Sequence, residues 1–171
     1  MAVLEILKLP DERLKQVSDP VESFDEELRA FVADLEDTRL AGPAAVGIAA
    51  PQVGRHQRIL IVDVSGRPKT SSHGHLILIN PEITHWEGFE IGREGCLSVP
   101  DYTGNVIRAT RIKLRAQDLE GASRVLEMEG FEARAVQHEM DHLDGLLFVD
   151  RVVSRRTDLY RRKVYQKGAH G

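Results

Sequence analysis

The chain carries the string HEMDH at residues 138–142, an H-E-x-x-H motif in a stretch that is expected to be helical. Positions four apart on an α-helix differ by only about 40° of rotation, so His138 and His142 project together. Neutral imidazole nitrogens suit zinc, iron and related metals. Glu139 is turned from His138 by roughly 100°, which places it to act on a metal-bound water rather than to join the ligands. The spacing predicts a divalent metal site with its own general base; the alternative is a solvated helix face with two histidines by coincidence.

A third metal ligand is needed, because catalytic sites of this kind typically use three protein ligands and leave a fourth position for water. In the common zinc peptidases that ligand lies downstream of the motif as a His or Glu. Here the only downstream histidine is His170, near the end of the chain. The sole cysteine, Cys96, lies upstream in the segment EGCLSVP, next to a glycine. A lone cysteine is usually a small buried hydrophobic residue, but beside an incomplete metal site it is the favoured third ligand.

The segment GIAAPQVG at residues 47–54 could add a further polar group to such a site. Its small residues allow a close approach of the backbone, and Gly47 and Gly54 permit special geometry. Gln52 offers a neutral amide donor that can bond an oxyanion without competing for the metal. Taken alone, the segment indicates only a turn rich in Gly, Ala and Pro with an exposed glutamine.

The composition is that of one soluble globular domain, residues 1–171, with 42% hydrophobic and 29% charged residues. A formal net charge of −4 argues against a protein whose whole surface binds nucleic acid. No apolar run approaches the length of a membrane span, and the segment MAVLEILKLPDERLK lacks the features of a signal or transit peptide. A single cysteine excludes an internal disulfide framework, so a reducing cytoplasm is the expected compartment.

Helical patterns flank a middle region that is rich in predicted strands. Ser23 and Glu26 form a capping box for a first helix, which should end near Gly42. That helix carries one apolar stripe, formed by Leu28, Phe31, Val32 and Leu35. β-Branched or alternating runs predict strands at residues 58–64, 75–79, 82–91, 106–119 and 124–128. Most connections are too short for helical crossovers, which favours antiparallel pairing.

The metal-binding motif lies in a second predicted helix, Phe131–Leu143, which Gly145 ends. A last, basic helix is predicted over about residues 153–167, with Val153, Tyr160 and Val164 on one side. The predicted fold class is therefore α+β. Antiparallel sheets are expected to wrap around the central metal-binding helix, with an N-terminal helix and a C-terminal helix.

Three segments together closely resemble the signature of the peptide deformylases. They are GIAAPQ at residues 47–52, EGCLS at 94–98 and QHEMDH at 137–142, in the expected order. LINP at 78–81 and LDGLLFVDR at 143–151 also look like this family, so the resemblance covers nearly the whole chain. It implies an enzyme that removes the formyl group from N-formyl peptides, chiefly the formylmethionyl start of nascent chains.

The resemblance assigns the metal site and the proton transfer. Cys96, His138 and His142 match the family's metal ligands, with ferrous iron as the usual native metal and zinc, nickel or cobalt as accepted substitutes. Glu139 matches the catalytic acid/base. The expected reaction is attack of metal-bound hydroxide on the formyl carbon, followed by proton transfer from Glu139 to the leaving amine and release of formate.

The resemblance also assigns the groups that bind the substrate. Gln52 and the backbone N–H of Leu97 match the donors that stabilise the oxyanion. The matches to substrate-binding positions are Val46, Gly47 and Gly95, beside which a peptide adds like an extra strand, and Phe131 and Ala135, which with Val46 line the methionine pocket. The family commonly has glycine two residues before Gly47, where this chain has Ala45, so substrate preference is in question there.

Two other functions remain open. A zinc endopeptidase built on the same motif would act on unformylated proteins, but it needs a downstream third ligand, and the upstream EGCLS segment speaks against it. A ribosome-associated binding protein is the second, because residues 151–171 carry seven Lys and Arg against one acid, Asp158. Some family members dock on the ribosome through a C-terminal helix, so docking is compatible with the enzyme. Neither a membrane nor DNA is expected as a partner.

Overall fold

Two α-helices and eight strands make up the part of the chain described by the computed structural model, residues 2–42 and 46–162. In chain order they are α1 (Glu26–Ala41), β1 (Gly47–Ala49), β2 (Ile59–Val62), β3 (Leu76–Glu87), β4 (Glu90–Cys96), β5 (Val99–Arg108), β6 (Arg111–Gln117), β7 (Ser123–Glu129), α2 (Gly130–Leu143) and β8 (Leu159–Arg161). Neither described helix combines the length and the apolar character that crossing a membrane requires. The α+β class predicted from the sequence is confirmed.

Helix α1 begins two residues later than the predicted capping box would place it. The N-cap is Asp25, whose carboxylate accepts a hydrogen bond from the Leu28 N–H at 3.0 Å, so Ser23 is not the capping residue. The predicted end is confirmed, since the helix stops at Ala41 with Gly42 as its cap. Of the predicted apolar stripe, Leu28, Val32 and Leu35 are buried and Phe31 packs against the same core cluster at partial burial.

The strands form two antiparallel sheets. One has five strands in the order β1-β2-β3-β6-β7, and the other has three in the order β4-β5-β8. Burial alternates along β6, as expected where one face of an antiparallel sheet packs on the core and the other faces solvent. All four residues of β2 are buried. Among residues 2–42 and 46–162, strands β1 and β4 lie at sheet edges, so each has one backbone side without a paired strand there.

Two of the predicted strands are wrong in their extent. The predicted strand at 82–91 is divided, because β3 runs on to Glu87 and the chain then turns at Gly88, whose φ of +69° favours glycine. The predicted strand at 106–119 is divided between β5 and β6, which belong to different sheets. The chain changes sheets at Thr110, whose N–H donates to the Glu87 carbonyl at 3.2 Å.

Helix α2 confirms the predicted metal-binding helix almost residue for residue. Its apolar residues Ala133, Val136 and Leu143 lie in the largest core cluster together with residues of β2, β3, β6 and β7. Ten of its fourteen residues are buried, including polar ones on several sides, so the helix is enclosed rather than laid on the surface. It ends where the Gly145 N–H donates to the His142 carbonyl at 3.1 Å, with Gly145 at φ +75°.

The predicted C-terminal helix is wrong over residues 153–162. Strand β8 occupies Leu159–Arg161 and pairs with β5, Thr103 lying opposite Tyr160. The edge of β5 that does not face β4 offers backbone hydrogen bonds to this segment. These bonds stabilise a strand more than the helical spacing of a few apolar side chains stabilises a helix. The rest of the predicted helix, residues 163–167, lies outside the described residues, as does Ala45.

Candidate active site

Helix α2 presents two histidines to one end of strand β4. The donor atoms of Cys96, His138 and His142 all lie within 4.8 Å of one another, and the Cys96 Sγ is 3.3 Å from the His142 Nε2. The two imidazole rings meet edge to face, with centroids 5.2 Å apart. The three residues are at most 9% exposed. The structure thus brings together the three residues predicted as metal ligands.

Cys96 reaches this position because β4 and β5 join in a tight hairpin. Cys96 pairs directly with Val99, and the register shifts between Glu94 and Cys96. Such an irregularity re-aims side chains at the end of a strand. Leu97 and Ser98 alone connect the two strands, so the backbone of Leu97 is held beside the thiol.

Glu94 fixes the orientation of His138. Its Oε1 lies 2.9 Å from the His138 Nδ1, which leaves the Nε2 of that ring directed toward Cys96. Arg108 donates two hydrogen bonds to Glu94 at 2.8 and 2.9 Å, and Arg134 donates a third at 2.7 Å. Although burial raises the pKa of Glu94, Arg108 and His138 bring it far below its usual range. Glu94 therefore stays ionised and acts as a fixed acceptor.

Asp141 extends this buried network along α2. Arg108 donates to its Oδ2 at 2.6 Å and Arg151 donates to both of its oxygens, at 2.9 and 3.1 Å. The sequence reading missed the roles of Arg108 and Asp141. Asp141 lies inside the H-E-x-x-H motif, but nothing in the sequence pairs it with an arginine 33 residues away.

Glu139 is the buried carboxylate beside the three donor atoms. It is 5% exposed, and its Oε1 has no hydrogen-bond partner among the described residues. A Cβ on Gly47 would lie 2.8 Å from the Glu139 Oε2, so the glycine of β1 makes room for this carboxylate. Burial raises the pKa of Glu139 to about 7. That value is suited to a group that both takes up and releases a proton near neutrality.

Gln52 lies next to the thiol and is 2% exposed, so the alternative of an exposed glutamine in a turn does not hold. Its Oε1 accepts from the Ala49 N–H at 2.9 Å, which turns the Nε2 toward the site. The Nε2 lies 3.1 Å from the Ser98 Oγ and 3.5 Å from the Cys96 Sγ. The amide N–H groups are therefore directed toward Cys96 and Ser98, at the metal-ligand cluster.

The donor set fits one divalent metal ion. A thiol and two imidazoles are the ligand types that zinc and iron accept. Burial lowers the pKa of His138, but hydrogen bonds to Cys96 and Glu94 raise it well above its usual range, so metal binding at this ring would displace a proton. Burial and the charge of His138 lower the pKa of His142, which keeps that ring neutral as a ligand must be.

A cleft of about 540 Å³ opens onto this cluster. Of the eleven residues predicted to form the site, ten line this cleft, and His142 does not. The ten are Val46, Gly47, Gln52, Gly95, Cys96, Leu97, Phe131, Ala135, His138 and Glu139. A second concavity of about 580 Å³ lies on another face of α2, around Gln137 and Met140. It contains none of the three donor residues, so the chemistry belongs to the first.

Comparison with known proteins identifies the fold and its relatives. The polypeptide deformylase family model matches residues 3–158. A peptide deformylase of Acidobacterium capsulatum is 42% identical over 164 residues, which are 96% of this chain and 95% of that protein. The crystal structure of a peptide deformylase from Legionella pneumophila is 40% identical, with a TM-score of 0.81 and coverage of 88% of this chain and 86% of the other. A peptide deformylase from Acinetobacter baumannii with Met-Ala-Ser bound is 37% identical, with a TM-score of 0.82 and coverage of 88% and 99%.

Proposed function

The chain belongs to the polypeptide deformylase family, and we propose that the cleft around Cys96, His138 and His142 is its active site. The enzyme removes the N-terminal formyl group from formylmethionyl nascent peptides and releases formate. The observation that carries the site proposal is the meeting of these three donor atoms with the buried carboxylate of Glu139 in one cleft. We further infer that residues 1–171 form a single catalytic domain.

Cys96, His138 and His142 would hold one divalent metal ion, and we propose ferrous iron as the native metal with zinc, nickel or cobalt as substitutes. When bound, the metal lowers the pKa of a coordinated water and polarises the formyl carbonyl. One thiolate on a divalent ion leaves less positive charge than an all-histidine set would. The proton acceptor at Glu139 is correspondingly more important in this site.

Three groups of the chain act on the reacting atoms in this proposal. Glu139 takes the proton of the attacking water and passes it to the leaving amine. The Gln52 amide and the Leu97 N–H donate to the formyl oxygen as it becomes anionic, each such donor typically contributing a few kcal/mol. The buried position of Gln52, with its carbonyl oxygen already bonded to Ala49, supports this assignment.

The substrate backbone would add as a strand between two sheet edges. Strand β1, with Gly47, and strand β4, with Gly95, are both edge strands, and Val46, Gly47 and Gly95 line the cleft between them. Phe131 and Ala135 lie on α2 at the same cleft and would contact the methionine side chain. A relative from Acinetobacter baumannii has the peptide Met-Ala-Ser bound, which supports a peptide as the ligand of this chain.

Two further proposals concern where the enzyme works. We propose a cytoplasmic location, which the single cysteine supports. We also propose that the basic C-terminal segment docks the enzyme on the ribosome, where its nascent substrates emerge, since residues 151–171 carry seven basic residues and one acid.

The experiment that tests the function is formate release from a short formyl-Met peptide by protein loaded with iron without oxygen. The same peptide without its formyl group serves as the control substrate. Release of formate without cleavage of internal peptide bonds is the expected result. Cleavage of unformylated casein with no formate release would instead identify an endopeptidase and overturn the proposal.

A further inference from the structure

The substrate cleft is positively charged, although the chain has a net charge of −4. Its lining includes five cationic side chains and two carboxylates, and both carboxylates are buried. One of the two, Glu94, is bonded to one of the five, Arg134, at 2.7 Å. The four remaining cations form what we call the cationic rim: Lys8, Arg67, Arg93 and Arg162.

The cationic rim has no acidic partner of its own. Within residues 2–42 and 46–162, none of its four members lies at ion-pair distance from a carboxylate. Six described arginines lack such a partner, and three of these six line the cleft. Like charges that line one concave surface add their fields in the opening. The rim is thus free to interact with an anionic ligand.

Two rim arginines lie on the exposed face of the three-stranded sheet, Arg93 within β4 and Arg162 after β8. Arg93 and Gly95 project from the same exposed face of this strand, because alternate residues share a face. The Arg93 guanidinium lies 3.8 Å above the Tyr160 ring and donates to the Asn105 Oδ1 at 3.1 Å. The Arg162 guanidinium lies over Gly95, where any side chain at that position would clash with it.

A third rim arginine is held at the other wall by a buried anchor. Arg67 lies in the connection between β2 and β3, with its guanidinium 3.9 Å above the Phe131 ring. The same connection is tied to α2 through His73, whose N–H donates to the Glu132 Oε2 at 2.7 Å and whose ring Nδ1 lies 2.6 Å from the Oε1. Glu132 is 1% exposed, so this contact is made to a buried carboxylate.

We propose that the cationic rim selects formyl peptides with acidic side chains in their second to fourth residues. The proposal rests on the proposed function and specifies its substrate class. A strand advances about 3.3 Å per residue, so Arg93 lies about 7 Å along β4 from Gly95. Residues that follow the methionine in a strand added to β4 therefore pass the rim within reach of its long side chains. Carboxylates there gain charge-assisted hydrogen bonds that neutral side chains do not.

The test compares three peptide amides on the iron-loaded holoenzyme: formyl-Met-Glu-Asp-Glu, its neutral isostere formyl-Met-Gln-Asn-Gln, and formyl-Met-Lys-Lys-Lys. The C-terminal amides remove the terminal carboxylate of each peptide. The neutral peptide with a free C-terminal carboxylate then measures how much that terminal charge alone raises kcat/KM. Partly exposed ion pairs predict a gain in kcat/KM of about two- to fivefold per carboxylate. The gain should shrink as ionic strength rises, because exposed charges are screened.

The variants Arg67→Gln, Arg93→Gln and Arg162→Gln, singly and combined, should lower the ratio of acidic to neutral kcat/KM toward one. Arg124→Gln is the matched control, since this exposed arginine of β7 also lacks a carboxylate partner but does not line the cleft. Binding of the deformylated products by calorimetry gives a readout that does not depend on turnover. Equal or reversed rates for acidic and neutral peptides in the wild type overturn the proposal, as does a preference that survives the combined variant. If the selectivity proposal fails but the neutral peptide still releases formate, the proposed deformylase function stands. If no peptide releases formate, both the selectivity and the proposed function are overturned.

Discussion

At the scale of single residues, Glu139 is the group on which proton transfer depends. Glu139→Gln keeps the shape of the side chain beside Gly47 but cannot accept a proton. We expect kcat to fall by at least about 10²-fold, the usual contribution of a positioned acid/base. Metal content should stay at one ion per chain, because Glu139 is not among the three donor residues. Steady-state kinetics with metal analysis on the same preparation measure both quantities.

Glu36→Gln is a matched control for this variant, since it makes the same chemical change on α1, away from the cleft. Its kcat should equal that of the wild type. Full turnover by Glu139→Gln would remove Glu139 from the mechanism. Loss of metal in that variant would assign it a ligand role instead.

Cys96 provides the only sulfur donor of the site. Cys96→Ser replaces a thiolate with a hydroxyl, which is a much poorer ligand for zinc or iron. Loss of a residue that only hydrogen-bonds to a metal ligand typically weakens metal binding by about 10- to 100-fold. Loss of a direct ligand should therefore weaken it by more. Competition with a chromophoric chelator gives the dissociation constant. Native affinity in Cys96→Ser would refute the ligand assignment.

The sequence predicts those residues whose relation is local. The spacing of His138, Glu139 and His142 follows from helix geometry alone, and the structure has them as expected. Gln52 was predicted as an oxyanion donor from the resemblance, but its turn by itself indicated an exposed side chain, because burial depends on Ser98 and Cys96 across the fold. The partners of Glu94 lie 14, 40 and 44 residues away, a separation at which no spacing rule operates.

At the scale of elements, Arg108 of β5 joins β4 to α2 through Glu94 and Asp141. All three side chains are at most 8% exposed in these pairs. Arg108→Met would leave two buried carboxylates with fewer partners, which typically costs about 3–5 kcal/mol. We expect urea unfolding to show this decrease in the free energy of unfolding. Metal binding should also be weaker, because Glu94 orients His138.

Arg115→Met is the matched control for the buried pair. Arg115 pairs with Glu82 at 2.8 Å, but the two side chains are 60% and 65% exposed. Exposed pairs contribute about 0–1 kcal/mol, so this variant should unfold close to the wild type. Equal losses in the two variants would mean that burial of the network adds nothing to stability.

A second link between elements depends on pH. Glu36 of α1 accepts hydrogen bonds from Arg39 at 2.6 and 2.8 Å, and its Oε2 lies 2.7 Å from the Nε2 of His75, which precedes β3. Burial raises the pKa of Glu36, but Arg39 and His75 outweigh it and bring the pKa below 4.5. A lowered pKa in the folded state means that the stabilisation is fully present above the unfolded pKa. It is lost as pH falls through the folded pKa.

Glu36→Gln should therefore be less stable than the wild type near pH 7, by about 0.2–1 kcal/mol for a partly exposed pair. The difference between the two proteins should disappear in strong acid, where Glu36 is protonated in the wild type. Urea unfolding of both proteins along a pH series measures this difference directly. A difference that is constant from pH 7 into strong acid would show that the carboxylate charge is not its source.

Element boundaries were harder to predict than element types. β-Branched residues recur from Val106 to Ile112 and no glycine or proline separates β5 from β6, so the change of sheets at Thr110 has no local turn signal. Residues 153–162 have some helical spacing, but Leu159–Arg161 instead completes the three-stranded sheet. In both places pairing with a distant strand decides the outcome, and a single sequence does not display it.

At the scale of the whole molecule, positive charge is concentrated toward the C-terminus of a chain that is acidic overall. Within the described part of that segment, Arg151 pairs with Asp141 and Arg155 lies 3.5 Å from Asp150. Arg156 and Arg161 are exposed and have no carboxylate partner among the described residues. They do not line the substrate cleft, so ribosome docking and the cationic rim can be tested separately.

Deletion of residues 163–171 leaves strand β8 in place and removes Lys163 and Lys167. Together with Arg156→Gln and Arg161→Gln, it removes four positive charges, and we expect the variant to lose most of its co-sedimentation with ribosomes. Each phosphate contact that is lost should also reduce the salt dependence of binding, by about 0.7–0.9 in the slope of log K against log salt. Turnover of a short formyl peptide should be unchanged, because Arg156 and Arg161 do not line the cleft and every proposed catalytic and metal-binding residue is retained. If the variant still binds ribosomes with the wild-type salt slope, the basic C-terminal segment is not the docking element.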